Sequence, residues 1–432
     1  MEIYDFEGAF GAVDVTTGAM REAIGSWFEA YYDRSDSQTA NYCQRVPYTV
    51  VEKLVRTVFG EYAAQTTGAF SAQLVKTLDQ LKEEAVQLAL IGGESYLRPV
   101  IEGQQLRFGV IPRDRLLIFK RDQQGKPTDV GSAARTQQGK FYYTLLERRT
   151  VDENGFLTVT NALYRSGNEG TLGSRVKLSE LPQYSALADT YTFMEPVGSV
   201  GLVRLRTPML NCVDGSNDGV SVFAAAMGLI NAIDENEAQL MGEFSRGQSR
   251  IVVSRDMLDR DKKLTDHLFV GLDEDPEHVG ITVFSPQLRT DAFLTRKQEY
   301  LRNVESVVGL KRGMLCDVNE LERTATEIAS SAGDFNLTVI GFQRMWEGAL
   351  QEAVRLGCIM GRLYSLGSEE PSAVTVDWGN GVLYDEDAQW QDYLQMVDKG
   401  LLKPEVALGW RFGMPTETDA DLQAIRKRYM PV

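Results

Sequence analysis

The chain has 432 residues, 43% hydrophobic and 25% charged, with 61 acidic against 45 basic side chains and a formal net charge of −16. That length exceeds one ordinary core and predicts about two to four structural units. The acidity excludes a protein that grips nucleic acid by simple electrostatic wrapping, but it suits a surface that repels phosphates and lets DNA pass.

No stretch approaches the length of uncharged apolar sequence that spans a bilayer. The start, Met1 to Glu7, is acidic and lacks the basic and apolar regions of a secretory signal. Cys43, Cys212, Cys316 and Cys358 are far apart and form no C-x-x-C pair. They read as reduced thiols of a cytosolic protein, with a disulfide as the other reading.

Residues 1–40 show little organisation beyond an amphipathic stretch at Met20–Tyr32. Val50, Leu54, Val58 and Tyr62 recur every fourth residue and predict a helix over 46–62. Leu74, Leu78, Leu81, Ala85 and Leu88 predict a second helix over 71–90, ended by Gly92-Gly93. A strand-rich region follows over 94–210, with strands at 95–101, 106–111, 116–121, 140–150 and 156–164. Asn154-Gly155 between apolar runs predicts a hairpin with positive φ at both central positions.

Ser216-Asn217-Asp218 supplies an N-cap for a helix over 219–244, whose first half is apolar nearly all round. Residues 246–288 form an insert with strands at 250–254 and 280–284. Thr290-Asp291 caps a helix over 291–309, an irregular segment runs from Gly309 to Glu320, and a long helix covers 321–364 with a kink at Ser330–Gly333. No proline interrupts residues 287–370, as long helices require. A strand at 373–378, a turn at Gly379-Asn380-Gly381 and helices at 386–399, 403–411 and 417–429 close the chain, with Thr416 and Asp419 expected to cap the last.

Catalytic patterns are sparse. No G-x-x-x-x-G-K-[ST] loop and no G-x-S-x-G elbow occurs. Gly167, Gly170 and Gly173 read as a hairpin tip rather than a phosphate cradle. With only His267 and His278, histidine-centred catalysis has little to work with. Asp273, Glu274, Asp275 and His278 would serve a metal-dependent hydrolase, but the proline in that loop favours a solvated acidic turn. Ser221 has no evident histidine partner and reads as a helix-start residue. No cofactor, metal or catalytic residue is therefore expected.

Two basic features stand out in this acidic chain. Lys311-Arg312 lies just past a predicted helix end, where it would complement the helix dipole or touch phosphates. Arg250, Arg255, Arg260, Lys262 and Lys263, with Arg246, form a local cluster that is either a solvated face or a contact for a partner protein.

Asn217–Phe223, Ala232–Asp234, Glu243-Phe244 with Gly247–Val252, Arg323–Ile328, Gly400–Leu402 and Trp410–Met414, taken in their order and spacing, resemble tailed-bacteriophage portal proteins, notably those of long, noncontractile-tailed phages and prophages of Gram-positive hosts. Asn217-Asp218-Gly219-Val220-Ser221-Val222-Phe223 is similar to that family's helix start, and Ala232-Ile233-Asp234 to its Leu-Asp pair. Glu243-Phe244 with Gly247–Val252 is similar to its helix exit, and Arg323-Thr324-Ala325-Thr326-Glu327-Ile328 to its K-T-A-T-E-[VI] signature. Gly400-Leu401-Leu402 and Trp410-Arg411-Phe412-Gly413-Met414 are similar to its C-terminal segment. The sequence departs from the pattern at Glu322-Arg323, where the family often has a neutral residue followed by lysine.

The resemblance implies an α+β portal fold: a wing over 1–216, stem helices at 217–245 and 289–309 and a clip at 246–288. It further implies a tunnel loop and long kinked helix over 310–379 and a helical crown over 380–432. It implies a ring, usually of twelve subunits, at one capsid vertex of the virion, assembled in the host cytoplasm, through which double-stranded DNA is packaged and ejected. Its implied partners are other copies of the chain, the terminase large subunit, a head–tail adaptor, and the major capsid and scaffolding proteins, with no membrane and no catalysed reaction. Lys311, Arg312 and Arg323 would touch DNA, and the basic cluster at Arg250–Lys263 would dock a partner. Another head–tail connector or capsid protein is the alternative.

Overall fold

The structure, a computed structural model, describes residues 5–33, 42–247, 250–254, 269–272, 282–284, 287–317, 325–367, 369–379, 386–416 and 418–430. The chain divides into two units, residues 1–55 with 66–373 and residues 56–65 with 374–432. Helix and sheet are both extensive, as the expected α+β class requires.

Two helices open the first unit. Asp5 caps Phe6–Phe10 (α1) by accepting from the Gly8 N–H at 2.6 Å, and Phe6 packs its ring 5.3 Å from Phe119. Gly18–Tyr32 (α2) is capped by Thr17 and buries Met20, Ile24, Trp27, Phe28 and Tyr31, one helical stripe. Val46–Val58 (α3) buries Val50 and Leu54 as the four-residue spacing predicts, but it ends four residues before Tyr62. Ala63–Thr66 (β1) belongs mainly to the second unit.

The helix expected over 71–90 is two helices, Ala69–Asp79 (α4) and Lys82–Gly92 (α5). No glycine or proline marks the break; burial does. Leu74, Val75 and Leu78 face inward from α4, whereas α5 buries Ala85, Val86, Ala89, Leu90 and Ile91, with Leu88 only half-buried. Two short helices bury both sets.

Gly93 ends α5 with φ +79° and turns the chain into Glu94–Glu102 (β2). Gln105–Pro112 (β3) pairs antiparallel with β2. Leu116–Arg121 (β4), Pro127–Gln138 (β5), Phe141–Val151 (β6), Leu157–Ser166 (β7) and Ser174–Val176 (β8) form a meander in that order. Thr190–Thr192 (β9) also pairs with β7. Val203–Arg206 (β10) returns to flank β2, giving a separate sheet ordered β10-β2-β3. Apolar residues from the strands and the segments beside them form distinct clusters: Tyr96, Leu116, Ile118, Val130, Val200 and Leu202 in one, and Tyr143, Leu145, Leu163, Leu178 and Leu181 in another.

The hairpin expected at Asn154-Gly155 is present, with Val151 opposite Leu157, but its turn differs. Asp152 accepts from the Asn154 and Phe156 N–H groups, and only Gly155 has positive φ. The Gly167–Gly173 run connects β7 to β8, a position between strands as expected.

The helix expected from Gly219 starts later, after a 3-10 turn at Ala224–Ala226, as Met227–Arg246 (α6). Residues 219–223 are fully buried, but their polar groups are already engaged. The Gly219 N–H donates to Glu94, Val222 N–H and Ser221 Oγ donate to the Leu90 carbonyl, and the Val220 carbonyl accepts from Thr207. An all-round apolar run here marks a buried crossing, not a helix.

Beyond α6 come Arg250–Ser254 (β11), Phe269–Leu272 (β12) and Thr282–Phe284 (β13). β11 lies between a parallel β12 and an antiparallel β13. Thr290–Val308 (α7) has Arg289 at its N-cap with no side-chain cap, so Thr290-Asp291 does not play that part. Ala325–Leu363 (α8) is continuous through Ser330–Gly333. Its residues Phe335, Val339, Phe342, Trp346, Leu350 and Ala353 recur at spacings of three and four and are buried.

In the second unit β1 pairs with Val374–Asp377 (β14), and Tyr62 and Phe59 gather on Trp378 at ring distances of 5.1 and 6.2 Å. Glu386–Asp398 (α9), Pro404–Arg411 (α10) and Asp419–Tyr429 (α11) follow. Tyr393 meets Trp410 edge-on, and Arg426 pairs with the buried Glu405. The cap of α11 is Thr418, in a capping box with Asp421, not Thr416 or Asp419.

Candidate functional site

The segment from α6 to α8 contains most of the described residues to which a role can be attached. α6 and α7 run antiparallel, since Asn236 donates to the Phe293 carbonyl at 3.1 Å while Glu243 holds Arg289 in a two-pronged ion pair. α6 buries Ile230, Ile233, Asn236 and Leu240, one position every three or four residues. Lys297 on α7 reaches both Glu237 and Gln44, at 2.9 and 2.7 Å, and so fixes the register of the pair and its tie to the start of α3. Asp234 accepts from the Gln44 N–H at 2.8 Å, and burial pushes its carboxyl pKa up.

The apolar faces of this pair are not all covered. Met241, Phe244, Leu294 and Val307 are each more than two-fifths exposed. Isolated exposed apolar residues are ordinary; Met241, Phe244 and Leu294 belong to the end of the pair where Glu243 meets Arg289, and Val307 to the other end of α7.

α7 ends at Gly309 in the left-handed region, against the side chain of Thr338 on α8. The next residues fold back over Glu305. Its carboxylate accepts from the N–H groups of Gly313, Leu315 and Cys316 at 3.1, 2.5 and 3.0 Å. It also receives the Cys316 thiol at 3.1 Å. Burial, then the hydrogen bond and charge of Glu305, raise the Cys316 thiol pKa, so the sulfur stays protonated and donates. A buried carboxylate surrounded by backbone donors is a strong local clamp. Gln298 adds a second tie by exchanging hydrogen bonds with Asp317.

Lys311 and Arg312 sit on the exposed outer side of this clamped turn, directly after α7. Arg323 lies outside the described residues, as do Arg255, Arg260, Lys262 and Lys263. Arg250 begins β11, with its backbone opposite Phe284. The structure therefore brings Lys311 and Arg312 together and does not test the rest of the basic set. Asp273, Glu274, Asp275 and His278 likewise lie outside; among the described residues no group of histidine, cysteine and carboxylate side chains is arranged to hold a metal.

Glu305 escapes sequence reasoning. The available signal is an acidic residue on the buried stripe of α7, beside Val304 and four residues before the helix-ending glycine. Arg113 and Glu94 escape it as well. Arg113, almost wholly buried, donates to the Leu116 carbonyl, Thr16 and Asp218 at 2.6, 2.9 and 3.1 Å, and lies 3.8 Å from Glu94. Burial alone would raise the Glu94 pKa, but Arg204, Arg113 and the Tyr96 hydroxyl lower it to about 2. This knot fixes the crossing at Gly93 and Gly219 from which α6 departs.

The sequence matches the family described as phage portal protein, SPP1 Gp6-like, over residues 74–428. No curated protein matches it significantly. The match covers more than half of the chain, and the chain belongs to that family, whose members are structural proteins of the capsid vertex that serve DNA packaging. Among the described residues no helix is long and apolar enough to cross a membrane.

Proposed function

We propose that this chain forms the portal ring at one capsid vertex, conducts double-stranded DNA during packaging and ejection, and catalyses no reaction itself. The observation that carries this reading is the order antiparallel helix pair, small three-stranded sheet between the pair, carboxylate-clamped turn, long helix. On this reading α6 and α7 are the stem and residues 246–288 the clip. The turn after Gly309 is the base of a tunnel loop that continues toward Arg323. Residues 1–216 with α8 make the wing, and 380–432 the crown. Self-association is heterologous and closes by rotation, and the exposed Met241, Phe244, Leu294 and Val307 supply apolar surface for it.

Each subunit brings a formal charge of −16, so a ring made of them repels phosphates over most of its surface. Lys311, Arg312 and Arg323 then act as sparse transient contacts for passing DNA. The clip residues Arg250, Arg255, Arg260, Lys262 and Lys263 serve as the docking face for terminase and the head–tail adaptor. The discriminating experiment is charge reversal at two places. Lys311→Glu should leave ring assembly intact and slow DNA packaging. Arg255→Glu with Lys262→Glu should leave assembly intact and block packaging or head–tail joining. Wild-type packaging and normal virions from both variants would overturn these assignments.

A further inference from the structure

Away from the helix pair, the first unit holds a half-open cavity of about 570 Å³ between β10, the β4–β5 turn and α8. Lys126, Arg204, Arg206, Arg344 and Arg355 line it, against one carboxylate, Glu352. The placement follows from two periodicities. Arg204 and Arg206 alternate on one face of β10, and Arg344, Gly348, Glu352 and Arg355 recur at helical spacing along one face of α8. A concentration of positive charge in so acidic a chain is not a by-product of composition.

The charges divide into two sets. Arg204 is held by Glu94 and the Asn217 carbonyl, and Arg355 by both oxygens of Glu352 and the Val197 carbonyl. These two are structural, and Glu352 is occupied. Lys126, Arg206 and Arg344 have no carboxylate partner among the described residues, and Arg206 Nε is buried with no hydrogen-bond partner there. An orphaned buried donor is destabilising unless something accepts from it. Leu202 and Met345 supply apolar lining, which lowers the local dielectric and strengthens whatever charge interaction forms.

We propose that this cavity binds a small anion bearing several phosphates, with Arg206 and Arg344 as the principal donors and Lys126 at the rim. The volume falls in the usual range for small-molecule sites, roughly 300–1,000 Å³. Guanidinium forks match phosphate oxygens in pairs, so two arginines beside one lysine fit that chemistry. The cavity does not admit a duplex side-on, and the ligand is either a free oligophosphate or the phosphorylated end of a nucleic acid. The inference stands independently of the channel reading.

Calorimetric titration of the full-length protein with tripolyphosphate at fixed ionic strength tests it. Saturable binding of one anion per subunit is expected, weakened about tenfold by Arg344→Gln and further by Arg206→Gln, as loss of a charge-assisted hydrogen bond predicts. Gly348→Leu keeps every charge. A Cβ at residue 348 meets nothing within 4 Å, and the change favours helix, so this variant should fold and fill the cavity, abolishing binding. Competition by a 5′-phosphorylated duplex, but not by the same duplex without end phosphates, would identify a nucleic-acid end as the source; failure of both to compete would identify a free oligophosphate. No saturable binding to the wild type, unchanged binding to Gly348→Leu, or equal affinity for a poly-glutamate peptide would overturn the proposal.

Discussion

The knot around Arg113 and the α6–α7 pair are both rich in charged side chains, yet they are built to opposite ends. Around Arg113, the carboxylates of Glu94 and Asp218 are met by guanidiniums from the same chain: Arg113, Arg204 and Arg121. Those partners come from β2, β4, β10 and the segment before α6, elements distant in sequence. All of these ion pairs form within one subunit. The helix pair instead has ties nearer the surface, such as Arg289–Glu243, and Met241, Phe244, Leu294 and Val307 are each more than two-fifths exposed. One region closes a fold; on the proposed reading the other faces copies of the same chain.

That contrast predicts effects of descending size on subunit stability. Arg113→Leu removes one partner from two buried carboxylates and should destabilise the subunit by about 3–5 kcal/mol, read as a lowered denaturation midpoint. A loss below about 1 kcal/mol would mean the knot is not closed as described. Acid probes the same place. The Glu94 pKa is depressed from 4.5 to about 2, so its contribution is fully present above pH 4.5 and is lost as the pH falls from there toward 2. Unfolding followed between pH 6 and 2 should show that loss in the wild type and a smaller one in Glu94→Gln.

Glu305→Gln keeps an acceptor but gives up the charge that three backbone N–H groups and a thiol share. A cost of about 1–3 kcal/mol is expected, confined to the turn and visible as faster hydrogen exchange at Gly313, Leu315 and Cys316. Unaltered exchange there would show that the clamp does not hold the turn. The smallest effect on the subunit belongs to Phe244→Ser with Leu294→Ser. Dissociated subunits should unfold within about 0.5 kcal/mol of the wild type, while ring yield falls. Undiminished rings would break the comparison by showing that this surface faces nothing.

Where residues carry their own pattern, the sequence reveals the fold. The turn at Asn154-Gly155 that joins β6 to β7, the stripe along α8, and the Gly93 and Gly309 stops are legible residue by residue. β5 is not, because Pro127–Gln138 has few large apolar side chains; Gly131 is there to admit the rings of Phe6 and Phe119, a tertiary reason. The late start of α6 and the break at Gln80-Leu81 have the same origin, since burial against distant segments overrides local helix signals. Lys311 and Arg312 are visible as charges after a helix end. Glu305 and Arg113 act through partners that only folding brings near, and Arg206 and Arg344 are more than a hundred residues apart before β10 and α8 meet.

The central claim is that α6 and α7 line the axis of a ring. Single-particle imaging of the purified full-length protein tests it most directly. Closed rings, with antiparallel helix pairs around an axial hole and the turn after Gly309 facing it, are the predicted result. Particles that stay monomeric at every salt and protein concentration, or rings with the helix pair on the outer rim, would contradict it.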